Sequence, residues 1–222
     1  LINARSVGNK TFILKLFFHN NSLDILCATE SWISPGESST LAEGFSPVWT
    51  LLTLFKSGLI CNLTVPSSTP LTFELSAFEL GQSPPMLCAL IYRPPQYNKD
   101  ILDEFATFLA QIFCKYDRLL LLGDFNIHVC CPNRPMVKDF LDLVDSFGLS
   151  QLVNGPTRGH VHTLDLVLSH GLSNSDLVIL PATFSDHSPV LFNLDVASTS
   201  RTDRVHIRLS LELLLPLLLE IL

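Results

Sequence analysis

Residues 119–126 read Leu-Leu-Leu-Leu-Gly-Asp-Phe-Asn, the sharpest feature of the sequence. Four consecutive leucines bounded by a glycine are too few for a helix, so we predict a buried strand over Arg118–Leu122. Gly123 permits a turn, and polar side chains follow where the strand reaches the edge of its sheet. If the backbone stays extended there, Asp124 and Asn126 point the same way, because they are two residues apart. A carboxylate that accepts a proton from water would then lie beside an amide that holds a phosphate oxygen. The structural alternative is an Asx turn after the strand.

The composition favours one α/β domain. The chain has 222 residues, of which 47% are hydrophobic and 16% charged, which is enough for one substantial core. Its net charge of -7 counts against tight non-specific binding of nucleic acid, but not against a nuclease whose carboxylates surround a metal. The six cysteines form no Cys-x-x-Cys pair, so the spacing does not predict zinc and favours a reducing, intracellular compartment (nuclear or cytoplasmic) over secretion. No apolar run reaches the roughly 18 residues of a membrane helix, so we expect no membrane partner.

Apolar periodicity predicts three helices, over Asn9–Phe18, Asn98–Cys114 and Met136–Phe147. The apolar residues that share one side are Phe12/Leu16 and Ile13/Phe17 in the first helix, Ile101, Phe105, Phe108, Leu109 and Ile112 in the second, and Val137, Phe140, Leu141, Val144 and Phe147 in the third. Gly148 is expected to cap the third helix. Further strands are predicted over Leu23–Thr29, Leu59–Val65, Leu71–Phe78, Met86–Tyr92, Leu164–Ser169, Leu177–Leu180 and Pro189–Leu194. Short turns between consecutive strands imply substantial antiparallel pairing.

An acid and an imidazole stand together before the last predicted strand, in residues 185–190, Ser-Asp-His-Ser-Pro-Val. Residues 163–168, Thr-Leu-Asp-Leu-Val-Leu, place Asp165 inside an otherwise apolar strand. A buried carboxylate needs a partner, and His187 is the obvious candidate. The alternative for Asp165 is a position on the solvent face of a half-exposed strand.

Two more motifs carry polar groups at strand ends. Glu30 follows an apolar strand in residues 28–32, Ala-Thr-Glu-Ser-Trp. Tyr92 and Arg93 come before a rigid Pro-Pro turn in residues 91–95. Each of these alone is a weak signal, because the ends of strands are commonly polar.

Taken together and in this order, the motifs resemble the apurinic-like endonuclease domain of LINE-type (non-LTR) retrotransposons, within the endonuclease/exonuclease/phosphatase superfamily. The resemblance runs from Leu1 to about Asp195. It rests on Leu1-Ile2-Asn3-Ala4-Arg5-Ser6, Thr29-Glu30-Ser31-Trp32, Ile91-Tyr92-Arg93-Pro94-Pro95, Gly123-Asp124-Phe125-Asn126, Thr163-Leu164-Asp165-Leu166-Val167-Leu168 and Ser185-Asp186-His187-Ser188-Pro189-Val190.

The resemblance implies an α/β (α+β) fold, a four-layer sandwich of two packed mixed β-sheets flanked by helices. It also implies a site with three kinds of residue. Those at the metal would be Asn3, Glu30 and Asp186; those that hold the scissile phosphate would be Tyr92, Asn126 and His187; and Asp124 would position or deprotonate the attacking water while Asp165 orients His187. The metal would be Mg²⁺, with Mn²⁺ as an alternative, because carboxylates and substrate phosphate suit a hard cation.

Three departures from the family pattern are visible. The chain begins almost on the first motif, so a domain over 1–196 is expected to be truncated at its N-terminus. Pro47–Gly58 stands where the family carries a basic, glycine-rich stretch, and only Lys56 and Gly58 keep that character. A leucine-rich tail, 197–222, stands where a reverse transcriptase would continue.

The expected activity is that of a metal-dependent DNA endonuclease that nicks one strand. A catalytically weak or inactive remnant, or an enzyme of the same fold with another phosphate-ester substrate, remains open as an alternative. The sequence indicates neither target-site preference nor oligomeric state. The mechanism requires Asp124 and His187 to lie within about 10 Å of each other.

Overall fold

The computed structural model describes residues 1–8, 10–32, 46–48, 50–64, 70–81, 84–95, 100–183, 185–196 and 205–206. The helices among them are α1 (Thr11–Asn20), α2 (Ile101–Phe113) and α3 (Pro135–Ser146). The strands are β1 (Ile2–Asn3), β2 (Ile25–Thr29), β3 (Ser46–Val48), β4 (Leu51–Phe55), β5 (Cys61–Thr64), β6 (Glu74–Leu80), β7 (Met86–Tyr92), β8 (Leu119–Asp124), β9 (Ser150–Gln151), β10 (Asp165–His170), β11 (Asn174–Ile179), β12 (Val190–Val196) and β13 (Val205–His206).

The strands form two packed layers. One layer is a sheet in the order β5-β6-β7-β8-β10-β9. The other combines the orders β1-β2-β4-β3 and β11-β12-β13. Two backbone hydrogen bonds between Leu1 and Val190, of 2.7 and 2.9 Å, join these two sets. The pairs β1–β2 and β7–β8 are parallel and the other described pairs are antiparallel, so both layers are mixed.

Three apolar clusters separate four layers. The cluster between the sheets includes Cys27, Leu51, Phe78, Leu90, Leu120, Leu122, Val190 and Leu194. On its outer face the six-stranded sheet packs against α2 and α3, with Phe105 and Phe140 stacked at a centroid distance of 5.8 Å. On the far side α1 covers β1, β2 and β4 through Leu14. The predicted four-layer sandwich of two mixed sheets is therefore confirmed.

The apolar stripe predicted for α2 is confirmed, because all five of its members are buried. In α3, Val137, Phe140 and Val144 are buried, while Leu141 and Phe147 pack at the margin of the same cluster. Gly148 adopts φ 63°, and its N–H donates to the carbonyl of Asp145, as a left-handed helix cap requires.

The predicted first helix is present as α1, but the side that its i, i+4 apolar pairs share is not its buried face. Phe12, Ile13 and Leu16 are 75%, 41% and 44% exposed. The helix instead buries Leu14, and Phe17 and Phe18 flank the same cluster. With apolar residues at six of ten positions, the sequence of α1 offers several competing stripes, and only the contact with the sheet selects among them.

Several predicted boundaries shift. Most of the β3–β4 hairpin lies within Pro47–Gly58, a stretch that we did not assign to strands. Leu51, Leu52 and Leu54 in this hairpin are buried. Some predicted boundaries lie outside the described residues: the end of the strand predicted over Leu59–Val65 and the helix starts predicted at Asn9 and Asn98. The 197–222 tail also lies outside them, except for Val205 and His206. Among the helices that the structure describes, none is both long and apolar enough to cross a membrane.

Candidate active site

A row of polar side chains crosses the six-stranded sheet at one edge. In the strand register Glu74 pairs with Tyr92, Tyr92 with Asp124, and Asp124 with Asp165. Residues in one row of a sheet have neighbouring Cβ atoms on the same face. The register therefore brings residues that are up to 91 positions apart in sequence to one place.

Gly123 is required by a close approach of strands and does not form a turn. Strand β8 continues through Asp124, so the predicted turn at Gly123 is wrong. The glycine has φ 152°, and a Cβ on it would lie 1.7 Å from the carbonyl oxygen of Ile91 on β7. Only a residue without a side chain fits there, and this close fit sets the position of the next residue, Asp124.

Asp124 is a buried carboxylate, 1% exposed, held from two sides. Its Oδ1 accepts the backbone N–H of Asn126 at 3.0 Å, and its Oδ2 accepts the Asn3 amide at 2.8 Å. Asn126 has φ 48°, so the chain is not extended here, and the alternative of an Asx turn is correct. Burial and the charge of Asp165 raise the pKa of Asp124 to about 7, against the opposing effects of His187, Asn126 and Asn3.

Asn3 joins Glu30 to Asp124. Parallel pairing of β1 with β2 sets Asn3 opposite Thr29, one residue before Glu30. The fully buried Asn3 amide donates to Glu30 Oε1 at 2.9 Å as well as to Asp124, and its Oδ1 accepts the Arg5 N–H at 3.1 Å. Two of the three predicted metal residues, Asn3 and Glu30, are therefore in direct contact.

His187 and Asp165 form a buried pair. Nδ1 of His187 lies 2.7 Å from Oδ2 of Asp165, and both side chains are 2% exposed. The contact that the sequence predicted is therefore present. Burial lowers the pKa of His187, but Asp165, Asp124 and Asp186 outweigh it, so that the pKa lies above its ordinary value. The other carboxylate oxygen of Asp165, Oδ1, is buried and accepts no hydrogen bond from the described residues.

Asp186 lies between two arginines. Its Oδ2 is 3.0 Å from the Arg5 guanidinium and 3.2 Å from Nε of Arg158. Burial raises its pKa, but His187, Arg5 and Arg158 together lower it below the ordinary value. Asp186, predicted at the metal, is thus found in ion pairs at the rim. Sequence reasoning assigned no role to either arginine, although Arg5 stands inside the first motif.

Tyr92 and Arg93 build the wall beside Asp124. Tyr92 is 5% exposed, and burial together with the carboxylates of Glu30, Asp124 and Glu74 raises its pKa, which keeps the phenol neutral. Arg93, 4% exposed, donates from its side chain to the carbonyl of Asn126 at 3.0 Å, and its own carbonyl accepts the Asn126 amide at 2.7 Å. The buried role of Arg93 carries no sequence signal, because a guanidinium before Pro-Pro is read as exposed.

The predicted residues converge. Ligand-capable atoms of Asp124, Asp165 and His187 all lie within 4.8 Å of one another, well inside the separation that the mechanism requires. The carboxylate oxygens of Glu30 and Asp124, bridged by the Asn3 amide N–H groups, suit a hard divalent cation, and the buried Asp165 Oδ1 adds an unused acceptor. Asn3 would add its own oxygen to this set only after its amide turns, because Oδ1 accepts the Arg5 N–H. The residues therefore fit the cation that the fold implies.

Comparison with known proteins agrees with this geometry. Residues 86–191 match the family described as endonuclease-reverse transcriptase. No curated protein sequence matches the chain.

Solved structures show the same fold at low identity. A 3' phosphatase from Neisseria bound to product DNA hairpin aligns over 87% of this chain and 97% of its own, with TM-score 0.66 and 16% identity. An AP endonuclease from Archaeoglobus fulgidus aligns over 88% and 98%, with TM-score 0.55 and 14% identity. The inositol polyphosphate 5-phosphatase domain of SPsynaptojanin, in complex with inositol (1,4)-bisphosphate and calcium ion, aligns over 87% and 81%, with TM-score 0.56 and 17% identity. The resemblance to the endonuclease/exonuclease/phosphatase superfamily that the sequence predicts is confirmed.

Proposed function

We propose that this protein is a divalent-metal-dependent phosphodiesterase, and more specifically a DNA endonuclease that nicks one strand by attack of water on phosphate. The observation that carries the proposal is the convergence of Asp124, Asp165 and His187 beside the contact of Asn3 with Glu30. Each of these groups comes from a different strand or loop, so chance clustering of ordinary surface acids does not account for it.

Asp124 acts as the general base. A base works best when its pKa lies near the working pH, and the pKa of Asp124 is about 7. Its two oxygens are oriented by the N–H groups of Asn126 and Asn3, which fixes the direction from which it takes a proton. The attacking water gives its proton to Asp124 as the new bond to phosphorus forms.

His187, Tyr92 and Asn126 hold the phosphate. Because Asp165 occupies Nδ1 of His187, Nε2 is the nitrogen left to contact a phosphate oxygen, and the raised pKa favours the cationic ring. Tyr92 supplies a neutral O–H. One side-chain N–H of Asn126 donates to the Arg93 carbonyl, and the other is proposed to donate to the substrate phosphate. These donors stabilise charge that develops on the phosphoryl oxygens.

The metal is proposed to be Mg²⁺, with Mn²⁺ as an alternative, held by Glu30 and Asn3 with Asp186 nearby. When bound, it supplies positive charge against the phosphoryl oxygens and the leaving alkoxide. Asp186 joins this set only if its ion pairs with Arg5 and Arg158 rearrange, since both pairs occupy its Oδ2.

DNA is the proposed substrate because the matched family is described as endonuclease-reverse transcriptase. The residues of the motifs around Tyr92 and Asp165 also resemble those of retrotransposon endonucleases. The net charge of -7 favours a second candidate, a same-fold enzyme acting on a smaller phosphate ester, since a small substrate needs no extended basic face. A catalytically weak remnant is the third outcome. The site is proposed to work inside the cell, in the nucleus if DNA is the substrate.

Nicking of supercoiled plasmid tests the proposal. Wild-type protein with Mg²⁺ should convert supercoiled to open-circular DNA, and chelation or Asp124→Ala should reduce the rate by at least about a hundredfold, the usual scale for a lost general base. Asp139→Ala is the matched control, because Asp139 is an exposed carboxylate on α3 outside the site.

Parallel reactions with single-stranded RNA and with inositol phosphates separate the candidates. Turnover of inositol phosphate without nicking would move the assignment to the second candidate. Equal rates for wild type and Asp124→Ala on every substrate would leave only the remnant.

A further inference from the structure

We propose that His128, Cys130 and His162 form a second metal site, for a thiophilic transition-metal ion of the zinc class, outside the candidate active site. These three side chains place ligand-capable atoms within 4.8 Å of one another. They share no member with the cluster of Asp124, Asp165 and His187.

The distances among the donor atoms are those of a coordination polyhedron. The two Nδ1 atoms of His128 and His162 are 3.1 Å apart, and Sγ of Cys130 is 4.0 Å from Nδ1 of His162. Tetrahedral zinc, with bonds of about 2.0 Å to nitrogen and 2.3 Å to sulfur, separates its ligand atoms by roughly 3.3 to 3.8 Å. Movements of a few tenths of an ångström would therefore seat the ion.

The fourth position has a candidate in Cys131, whose Sγ lies 3.8 Å from Sγ of Cys130. A water molecule is the other way to complete the tetrahedron. Two imidazoles and one or two thiolates form a soft donor set, which selects zinc-class ions over Mg²⁺ or Ca²⁺. The two proposed metal sites therefore differ in the ions that they accept.

The ion can reach the cluster from solvent. Cys130 is exposed, and His128, Cys131 and His162 are half-buried. An open cleft of about 410 Å³, lined in part by Cys130 and His160, runs beside them.

A metal here would fasten two loops that frame the active site. His128 stands two residues after Asn126, in the segment that follows β8. The backbone of His162 bonds to Thr157 and Arg158, and the hydroxyl of Thr157 accepts the N–H of Asp165. One ion would thus tie the loop that presents Asn126 to the hairpin that supports Asp165.

Sequence spacing could not predict this site, because the cysteines follow no Cys-x-x-Cys pattern and His162 is 34 positions from His128. Two arrangements without a metal compete with it. The imidazoles could share one N–H, or Cys130 and Cys131 could form a disulfide between neighbours. Neither arrangement requires both histidines and Cys130 together.

Cobalt substitution distinguishes these arrangements. The full chain, reduced and stripped of metal, is titrated with Co²⁺, and the thiolate-to-cobalt absorption bands are recorded. Wild-type protein should bind one Co²⁺ with these bands, and excess Zn²⁺ should displace it. Cys130→Ser and His162→Ala should each weaken that binding at least about tenfold, since even outer partners of a metal site contribute that much.

Two controls isolate the site. Cys114→Ser removes an exposed thiol at the end of α2 and should leave the bands unchanged. Glu30→Gln disables the proposed Mg²⁺ site and should also leave them unchanged, so failure of the proposed function and failure of this inference are distinguishable. Zn²⁺ should also raise the Tm of Glu30→Gln more than that of the double variant Glu30→Gln, Cys130→Ser.

Absence of thiolate bands from folded wild-type protein would overturn the inference. So would bands that persist at equal affinity in Cys130→Ser, whose exposed position should leave folding intact. A Cys130–Cys131 disulfide that survives strong reductant would overturn it as well, because the thiolate would then be lost to the metal.

Discussion

Replacing Asp124 by asparagine should stabilise the metal-free protein, increasingly so as the pH rises. The folded pKa of Asp124 is about 7, against an ordinary value of 3.8. A folded pKa that is raised means that the native state binds the proton more tightly than the unfolded chain does. The free energy of unfolding therefore falls as the pH rises from about 4 to about 7, and this loss is complete above the folded pKa.

The size of the effect follows from the two pKa values. One pKa unit corresponds to about 1.4 kcal/mol, so the buried carboxylate costs about 4 kcal/mol at pH 8 but only about 2 kcal/mol at pH 5. The Asp124→Asn variant does not titrate here. Its stability relative to wild type should therefore increase by about 2 to 3 kcal/mol between pH 5 and pH 8. Loss of the Asn3 hydrogen bond costs about 1 kcal/mol at both pH values and leaves the slope unchanged.

Urea unfolding in the presence of a chelator, followed by circular dichroism at pH 5, 6, 7 and 8, measures this slope. For a chain of this size, the expected gain in relative stability between pH 5 and pH 8 corresponds to a change of about 5 to 10 °C in the Tm difference between Asp124→Asn and wild type. Asp139→Asn, at an exposed carboxylate, should follow wild type within about 0.5 kcal/mol at every pH. If the curves of Asp124→Asn and wild type run parallel from pH 5 to pH 8, the raised pKa of Asp124 is refuted.

Three further outcomes follow from single contacts. Gly123→Ala should lower the free energy of unfolding, measured in urea, by at least about 3 kcal/mol, because the new Cβ meets the carbonyl oxygen of Ile91 on the neighbouring strand. Gly58→Ala is the control: Gly58 has φ 89° but open space around it, so the loss should be only about 1 kcal/mol. Equal losses in the two variants would contradict the close approach of the strands at Gly123. Asp165→Asn should move the NMR titration of His187 to lower pH, since the carboxylate raises that pKa, and an unchanged midpoint would show that the pair contributes nothing. Arg158→Ala should change the free energy of unfolding in urea by less than about 1 kcal/mol, because its ion pair with Asp186 is exposed; a larger loss would show that this pair is a structural brace.

The position of several candidate site residues was predictable because they stand in or at the end of apolar runs that predict buried strands. Asp165 is the clearest example: a carboxylate within an apolar run demands a partner, and His187 is that partner. The stripes of α2 and α3 were equally predictable, since each offers only one apolar face.

Features that depend on packing across the fold were not predictable. Helix α1 has apolar residues on several faces, so nothing local distinguishes Leu14 from the exposed Phe12. Gly123 was read as a turn because a glycine after leucines has that local meaning, whereas the carbonyl of Ile91 that requires it comes from another strand. The buried position of Arg93 likewise depends on the neighbouring strand β8, because its backbone N–H donates to the carbonyl of Asp124 and its guanidinium donates to the carbonyl of Asn126.

Several unfavourable features meet at the candidate site, and this bears on whether the chain is an enzyme or a remnant. Glu30 and Asn126 both adopt positive φ, at 51° and 48°, which costs on the order of 1 kcal/mol or more for each. Asp124 and Asp165 are buried carboxylates in mutual repulsion, and one oxygen of Asp165 has no described partner. Local strain and unsatisfied charge of this kind are expected where geometry serves chemistry, because a scaffold alone would be more stable without them. The energetic cost of the site therefore favours a working active centre over a passive fold, and the pH slope of Asp124→Asn measures a large part of that cost.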